Sequence, residues 1–134
     1  MKYLGIDFGE KRIGLALGDD KIKVAAPFKI VENQSIERVL AHILEVIRQE
    51  NIEQIVIGVP YSLKEREGRI GNQEKEVLGF ITRLGMVTTV PIAKEDERFT
   101  TAEVDKLMVG QKLPGGQRDA VSAMLILQSY FDRL

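Results

Sequence analysis

The sequence predicts an α/β fold built on a mixed sheet of five strands in the order 3-2-1-4-5, flanked by helices. Two observations support this fold class. The first quarter of the chain alternates like a meander of three antiparallel strands, and the remainder switches between helical and strand periodicity. Such alternation is typical of parallel strands joined by crossover helices. Because these crossovers are right-handed, we expect the fourth and fifth strands beside the first strand and parallel to it.

The predicted meander begins with a near-continuous apolar run over residues 2–7, which is typical of a strand buried on both faces. Apolar residues then alternate with polar or small ones over residues 12–17, and residues 18–21 form a turn. A third strand is expected over about residues 22–31. It contains Pro27, which lacks the N–H group that a central strand needs, so we expect an edge position or a bulge there.

Helical and strand segments alternate after the meander. Ser35 is a candidate N-cap for a first helix over residues 36–50, where apolar side chains recur at helical spacing. A short buried strand follows over residues 55–59. Residues 61–73 form the only long polar stretch and are expected to be a mobile loop that closes over a ligand. A second helix is expected to end at Gly85, because glycine commonly terminates helices.

The C-terminal part of the chain supplies the last predicted strand and two more helices. The fifth strand is expected over residues 87–93. Residues 100–103 read Thr-Thr-Ala-Glu, which matches a capping box for a short helix that stops at Gly110. The final helix is expected over about residues 118–131.

Length and composition predict one compact domain over residues 1–134, since 44% of the residues are hydrophobic and can form a core. The chain has no apolar run of the roughly 18 residues that span a bilayer, and its N-terminus enters a strand without a signal-peptide pattern. We therefore expect a cytoplasmic protein with no membrane partner.

The residue counts also limit the chemistry of any metal site. The absence of cysteine and the single histidine exclude thiolate sites and histidine clusters, so a metal ion would have carboxylate ligands. Oxygen ligands favour Mg²⁺ or Mn²⁺. The net charge of -1 gives no general attraction for nucleic acid, and such binding would need a local basic patch.

Acidic residues lie at three predicted element ends that the topology brings to one edge of the sheet. Asp7 ends the first strand, the run from Glu95 to Glu97 follows the fifth, and Asp119 opens the final helix. Each has a simpler explanation: a turn residue at Asp7, a solvated loop after the fifth strand, and an interaction with the helix dipole at Asp119. Ligands of open α/β sheets bind at the carboxyl ends of the strands, however, so we expect a shared site.

Gathered carboxylates repel one another, and divalent cations relieve that repulsion. Two ions about 3.5–4 Å apart can hold a phosphodiester during hydrolysis. We expect Asp7 to bridge the ions and Glu97 and Asp119 to complete the site, with Asp96 or Glu95 in place of Glu97 if the turn is rotated differently.

Several short motifs resemble those of the YqgF family, whose members include pre-16S rRNA nucleases and Holliday-junction-resolvase-like proteins. The resemblance covers the whole chain in order. Its motifs are Gly5-Ile6-Asp7-Phe8-Gly9 with Lys11-Arg12-Ile13-Gly14, then Gly58-Val59-Pro60, Asp96-Glu97-Arg98 with Thr100-Thr101, and Asp119-Ala120 leading into Ile126-Leu127-Gln128.

The resemblance implies a ribonuclease-H-like fold and metal-dependent phosphodiester cleavage, with Asp7, Glu97 and Asp119 as catalytic residues and metal ligands. It implies a structured nucleic acid as substrate, most specifically the 5′ end of pre-16S rRNA in ribosome biogenesis. The alternative substrate is branched DNA, as for a Holliday-junction resolvase.

The chain departs from the family pattern at two places. Val59 stands where the family usually has leucine, which is a conservative apolar change. The loop that follows is longer and carries Lys64-Glu65-Arg66-Glu67, where the family has a shorter, glycine-rich loop. The second departure leaves the loop's contact with substrate open.

Basic residues stand next to each predicted acidic position. Lys11 and Arg12 follow Asp7 in the chain, and Arg98 and Arg118 adjoin Glu97 and Asp119; the polar loop adds Lys64 and Arg66. We expect these cations to hold phosphates without reading sequence. The alternative is that they offset acidic repulsion or lie in solvent.

Two other classes of function are consistent with parts of the sequence. The first hairpin also resembles the phosphate-binding hairpin of the actin and hexokinase type, although that machinery needs a second related domain. A non-catalytic nucleic-acid-binding or protein-binding domain with structural carboxylates is the other. A homodimer would suit a nuclease that cuts paired strands symmetrically.

Overall fold

The computed structural model describes residues 1–61, 71–97 and 115–134, with the backbone alone for residues 115–117. The predictions for most of the polar loop, for the capping box at residues 100–103 and for the helix ending at Gly110 lie outside the described residues.

The described strands form one mixed sheet in the predicted order β3-β2-β1-β4-β5. The meander strands pair antiparallel, whereas β4 is parallel to both β1 and β5. The elements are β1 (Lys2–Phe8), β2 (Arg12–Asp19), β3 (Val24–Glu32), α1 (Ile36–Gln49), β4 (Gln54–Val59), α2 (Asn72–Val87), β5 (Ile92–Asp96) and α3 (Gly115–Asp132).

The sheet separates two apolar layers. Alternate side chains of β1, such as Leu4 and Ile6, pack with the buried faces of α1 and α2. The intervening side chains face α3, where Tyr3 packs edge-on against Phe131 with ring centroids 5.0 Å apart. Because side chains alternate along a strand, Asp7 belongs to the α3 face of the sheet.

Glycines allow α3 to lie close to the sheet. A Cβ atom on Gly5 would stand 2.9 Å from the carbonyl oxygen of Ala123, and one on Gly14 would stand 1.9 Å from that of Asp119. Real Cβ atoms do not approach that closely, so these positions require glycine. The sequence predicted the strands but did not indicate that their glycines allow α3 to approach the sheet.

Local signals explain the edge strand and the first helix. Pro27 lies in the edge strand β3 beside a register shift, since Leu15 pairs with Lys29 while Ala16 pairs with Pro27. Both expectations for Pro27 are therefore confirmed. Ser35 caps α1 by accepting a hydrogen bond from the Arg38 N–H at 3.3 Å, as predicted.

Four predicted boundaries are wrong. Helix α2 continues through Gly85 to Val87, because Gly85 lies on an open face and the helix ends instead where Thr88 becomes extended. Val87 is thus helical, and β5 starts at Ile92 rather than at residue 87.

The last helix starts at Gly115, earlier than predicted, so Asp119 lies in its second turn and does not open it. The expected effect of the helix dipole at the first turn therefore does not apply to Asp119. Strand β5 ends at Asp96, three residues later than predicted, so Glu95 and Asp96 lie in the strand and only Glu97 follows it. Differences at the other described ends amount to one or two residues, and Asn72 and Gln73 belong to α2 instead of the polar loop.

The parts of the chain that the structure describes contain no helix that is both long and apolar enough to cross a membrane.

Candidate active site

Asp7 lies near the carboxyl end of the central strand, on the face covered by α3. It pairs across the hairpin with Gly14, so no side chain opposes it on β2. Glu97 directly follows β5. Since Glu95 pairs with Gly58 of β4, Glu97 lies two residues farther along on the same face of the sheet. The parallel arrangement thus brings Asp7 and Glu97 to one edge, as the sequence predicted.

The carboxyl groups of Asp7 and Glu97 share a hydrogen bond. Burial is the largest cause of a pKa of about 9 for Glu97, and the bond to Asp7 and that residue's negative charge raise it further. Burial also raises the pKa of Asp7, opposed by the bond from Glu97 and assisted by the charge of Asp119. At neutral pH Glu97 therefore keeps its proton and donates it to Asp7.

Asp119 lies near this pair but is held by Arg12. The Nε atom of Arg12 donates a hydrogen bond of 3.0 Å to Oδ2 of Asp119, and both side chains are partly exposed. The charge of Asp119 still reaches Asp7, because it raises the pKa of that group. An exposed ion pair of this kind is weak and can be exchanged for other partners.

The other acidic residues after β5 have different surroundings. Glu95 is buried beneath α3 and forms an ion pair with Arg133, just beyond that helix. Burial nevertheless raises the pKa of Glu95, since its desolvation outweighs the opposing charge of Arg133. Asp96 adjoins Glu97 on the other face of the strand and raises the pKa of Glu97. Glu97 is therefore the member of the run that bonds to Asp7.

Two glycines shape the floor of the site. A Cβ atom on Gly58 would stand 2.6 Å from both Cγ and Oε1 of Glu97, so the missing side chain provides the space that Glu97 occupies. Gly14 likewise admits the backbone of Asp119. The two motif glycines therefore belong to the same site as the carboxylates, because each leaves space for an acidic residue.

The turn beside Asp7 is fixed by a residue that the sequence analysis missed. The Asn33 side-chain amide donates a hydrogen bond of 3.0 Å to the carbonyl oxygen of Gly9, and its backbone N–H donates one of 2.9 Å to that of Lys11. Asn33 thereby holds the turn that carries Lys11 and Arg12. An asparagine after a strand was the available signal, but it is too common in loops to be diagnostic.

A cavity of about 430 Å³ opens at this edge of the sheet. Asp7 and Glu97 line it together with side chains from the first turn, from the end of β4 and from the start of α2. Those further residues include Phe8, Glu10, Pro60, Glu76 and Val77. The cavity lies at the carboxyl ends of the parallel strands, the usual position for ligands of such sheets.

The carboxyl pair suits a hard cation in its chemistry, since both members are oxygen donors and share a proton that a cation can replace. The full predicted triad is not assembled. Among residues 1–61, 71–97 and 115–134, no three acidic or histidine side chains lie close enough to hold one metal ion. Asp119 is directed to Arg12 instead.

Three of the six predicted basic residues lie in the part of the chain that the structure describes. Lys11 and Arg12 lie at the turn next to Asp7, and Arg118 is exposed on α3 beside Asp119. Arg98 follows the last described residue of its segment, and Lys64 and Arg66 belong to residues 62–70. These last three lie outside the described residues.

The raised pKa of Glu97 predicts how stability depends on pH in the absence of metal. Between the ordinary value of 4.5 and about 9, the folded protein keeps a proton that the unfolded chain loses. The free energy of unfolding is therefore expected to fall as pH rises through this interval. Urea unfolding in EDTA at several pH values measures this slope. Glu97→Gln is expected to flatten it, and an unchanged slope in that variant would contradict the pKa.

Comparison with known proteins supports the same family as the motifs. A family model described as "RuvX: Holliday junction resolvase" matches residues 1–133. A protein of Desulforudis audaxviator named "Putative pre-16S rRNA nuclease" is 41% identical, with 98% of this chain and 94% of the relative covered. One of Syntrophus aciditrophicus with the same name is 36% identical, covering 100% and 90%.

Solved structures share the fold at low sequence identity. RuvC of T. thermophilus in complex with a Holliday junction substrate superposes with a TM-score of 0.62 at 17% identity, over 99% of this chain and 94% of that one. The fowlpox virus Holliday junction resolvase gives a TM-score of 0.64 at 13% identity, over the full length of both chains. The predicted ribonuclease-H-like architecture is confirmed.

Proposed function

The chain belongs to the RuvX family, and on that premise we propose that it is a metal-dependent endonuclease that hydrolyses phosphodiester bonds of structured nucleic acid. The observation that carries this proposal is the partly buried Asp7–Glu97 carboxyl pair, whose members share a hydrogen bond and line a cavity at the carboxyl ends of the strands. Desolvating two neighbouring carboxyl groups costs folding free energy, and groups whose pKa values are raised in this way cluster at functional sites.

The favoured substrate is the 5′ end of pre-16S rRNA. The curated relatives at 41% and 36% identity carry the name of a pre-16S rRNA nuclease over nearly the whole chain. The second candidate is a Holliday junction, favoured by the family description and by the function named for both structural neighbours.

Asp7 and Glu97 are the residues that would hold Mg²⁺ or Mn²⁺, and Asp119 would join them when it separates from Arg12. Such an ion, when bound, lowers the pKa of a water molecule and offsets charge on the phosphate. Glu97 must lose its proton to become a ligand. Arg12, once released from Asp119, is free to bind a phosphate oxygen of the substrate.

The choice of metal ion is a testable consequence of a site made of carboxyl groups. Because Asp7 and Glu97 offer only oxygen ligands, Mg²⁺ and Mn²⁺ are expected to support cleavage and Zn²⁺ to support it poorly. EDTA is expected to abolish cleavage, and added Mg²⁺ to restore it. Cleavage at the full rate in excess EDTA would contradict metal dependence.

Binding is expected to depend steeply on salt, because the cations beside the site suit phosphates. Arg12→Ala is expected to lower affinity for every sequence tested by about the same factor and to reduce the salt dependence by roughly one counterion. Fluorescence anisotropy at salt concentrations from about 50 to about 200 mM measures both the affinity and its salt dependence. A loss confined to one sequence would indicate base reading by Arg12 instead.

The substrate proposal is tested by incubating the protein with labelled pre-16S rRNA 5′ ends and with a labelled four-way DNA junction, with and without Mg²⁺. Faster cleavage of the RNA is expected, and faster cleavage of the junction would favour the resolvase function. If it resolves junctions by two symmetric cuts, we further propose that it acts as a homodimer. Sedimentation of the substrate-bound protein tests that arrangement.

A further inference from the structure

A second cavity, of about 560 Å³, adjoins the candidate active site and is more apolar. We call it the α2 groove. The rings of Phe8 and Phe80 stack with centroids 4.5 Å apart and line it together with Ile36 and Gly79. Phe8 lines both cavities, so the groove is continuous with the proposed site of cleavage.

The polar lining of the α2 groove is more acidic than basic. Arg83 lines it, but the Arg83 guanidinium lies 3.8 Å from a carboxylate oxygen of Glu37. Glu10 and Glu76 line this groove as well as the catalytic cavity, so its charge does not favour a phosphate group. The two glutamates are good acceptors for amino groups, and glutamate accepts a hydrogen bond from the exocyclic amine of cytosine. Asn33 adds a side-chain carbonyl, since its amide already donates to Gly9.

We propose that the α2 groove binds one unpaired nucleobase that carries an exocyclic amino group, from a nucleotide next to the cleaved phosphate. This proposal rests on the nuclease function proposed above and deepens it by naming a specificity site. Phe80 is buried and holds Phe8 by stacking, so the partly exposed ring of Phe8 supplies the aromatic surface for the base. Glu10 and Glu76 accept from the amino edge of the base. Backbone binding remains electrostatic, whereas this groove selects among sequences.

Gly79 provides a way to fill the groove without disturbing the fold. A Cβ atom at Gly79 meets nothing within 4 Å, so Gly79→Leu extends a side chain along the groove and favours the helix. Gly85 is a matched control, because it lies in the same helix, its Cβ also meets nothing within 4 Å, and it does not line the groove. Gly85→Leu therefore makes the same substitution at a position outside the groove.

The experiment compares wild type, Gly79→Leu and Gly85→Leu by fluorescence anisotropy, in Ca²⁺ to slow cleavage. The probe is an RNA end with unpaired nucleotides next to the cleaved phosphate, together with versions that lack one of those bases. Gly79→Leu is expected to bind the intact probe about tenfold more weakly, while Gly85→Leu matches wild type. Removing the recognised base is expected to weaken binding by wild type about tenfold. Binding by Gly79→Leu is expected to be no weaker without that base than with it.

Equal binding by the two leucine variants would overturn the groove proposal, as would a change of oligomeric state in Gly79→Leu without loss of binding, which would indicate a subunit interface. Glu76→Gln adds a chemical test, since it is expected to weaken binding only while the amino-bearing base is present. Binding without metal-dependent cleavage would refute the nuclease function and leave the groove result in force. Absence of any nucleic-acid binding by wild type would refute both.

Discussion

Asp7→Asn is expected to reduce cleavage by on the order of 10³-fold while leaving the fold intact. Asp7 is partly buried beside Glu97 and is the central member of the proposed metal site. Asparagine has nearly the same shape, but it lacks the negative charge that a divalent cation needs. Cleavage of labelled substrate at saturating Mg²⁺ measures the loss.

Stability is expected to change in the opposite direction. Burial raises the pKa of Asp7, so ionising this group in the folded protein costs free energy at neutral pH. The neutral Asp7→Asn variant avoids that cost, and its melting temperature should equal or exceed that of wild type. Glu53→Gln is the matched control, since Glu53 is exposed before β4 at the opposite edge of the sheet. Cleavage by Asp7→Asn at the wild-type rate would show that Asp7 is not part of the active site.

Gly14→Ala is expected to have the largest effect on stability. Its Cβ would stand 1.9 Å from the backbone oxygen of Asp119, and no side-chain rotation relieves contact with a backbone atom. Helix α3 must move away from the sheet, at a cost of about 3 kcal/mol in the free energy of unfolding. The same movement displaces Asp119, so cleavage by the folded fraction should also fall. Urea unfolding and a cleavage assay on the same preparation measure the two effects.

Gly85→Ala is the control for the glycine substitution itself. Its Cβ has open space in the last turn of α2, so alanine should leave the free energy of unfolding unchanged or raise it by up to about 1 kcal/mol. If Gly14→Ala were equally stable, the close approach of α3 to β2 would be wrong, and with it the position of Asp119.

The sequence predicted the sheet order because strand burial and right-handed crossovers leave few arrangements of these segments. It placed Asp7 and Glu97 at one edge for the same reason. It could not predict the roles of Gly14 and Gly58, because a glycine in a strand gives no sign of which element approaches it. Those roles depend on residues far along the chain, Asp119 of α3 for Gly14 and Glu97 after β5 for Gly58.

The errors have equally physical causes. Gly85 was expected to end its helix, yet its backbone stays helical and does not turn left-handed, and Leu84 just before it packs on the core. The role of Asp119 as a metal ligand beside Asp7 stays a prediction. The structure pairs its carboxylate with Arg12, a cation that the sequence placed beside Asp7 and not beside Asp119.

Titration of the protein with Mn²⁺, followed by electron paramagnetic resonance and by proton release near pH 7, tests the proposed metal site most directly. Wild type is expected to bind Mn²⁺ and to release a proton, since Glu97 holds one with a pKa of about 9. Asp7→Asn is expected to lose this binding, and Glu97→Gln to lose the proton release. Equal Mn²⁺ affinity in wild type and Asp7→Asn, with no proton released by either, would contradict a metal site at the Asp7–Glu97 pair.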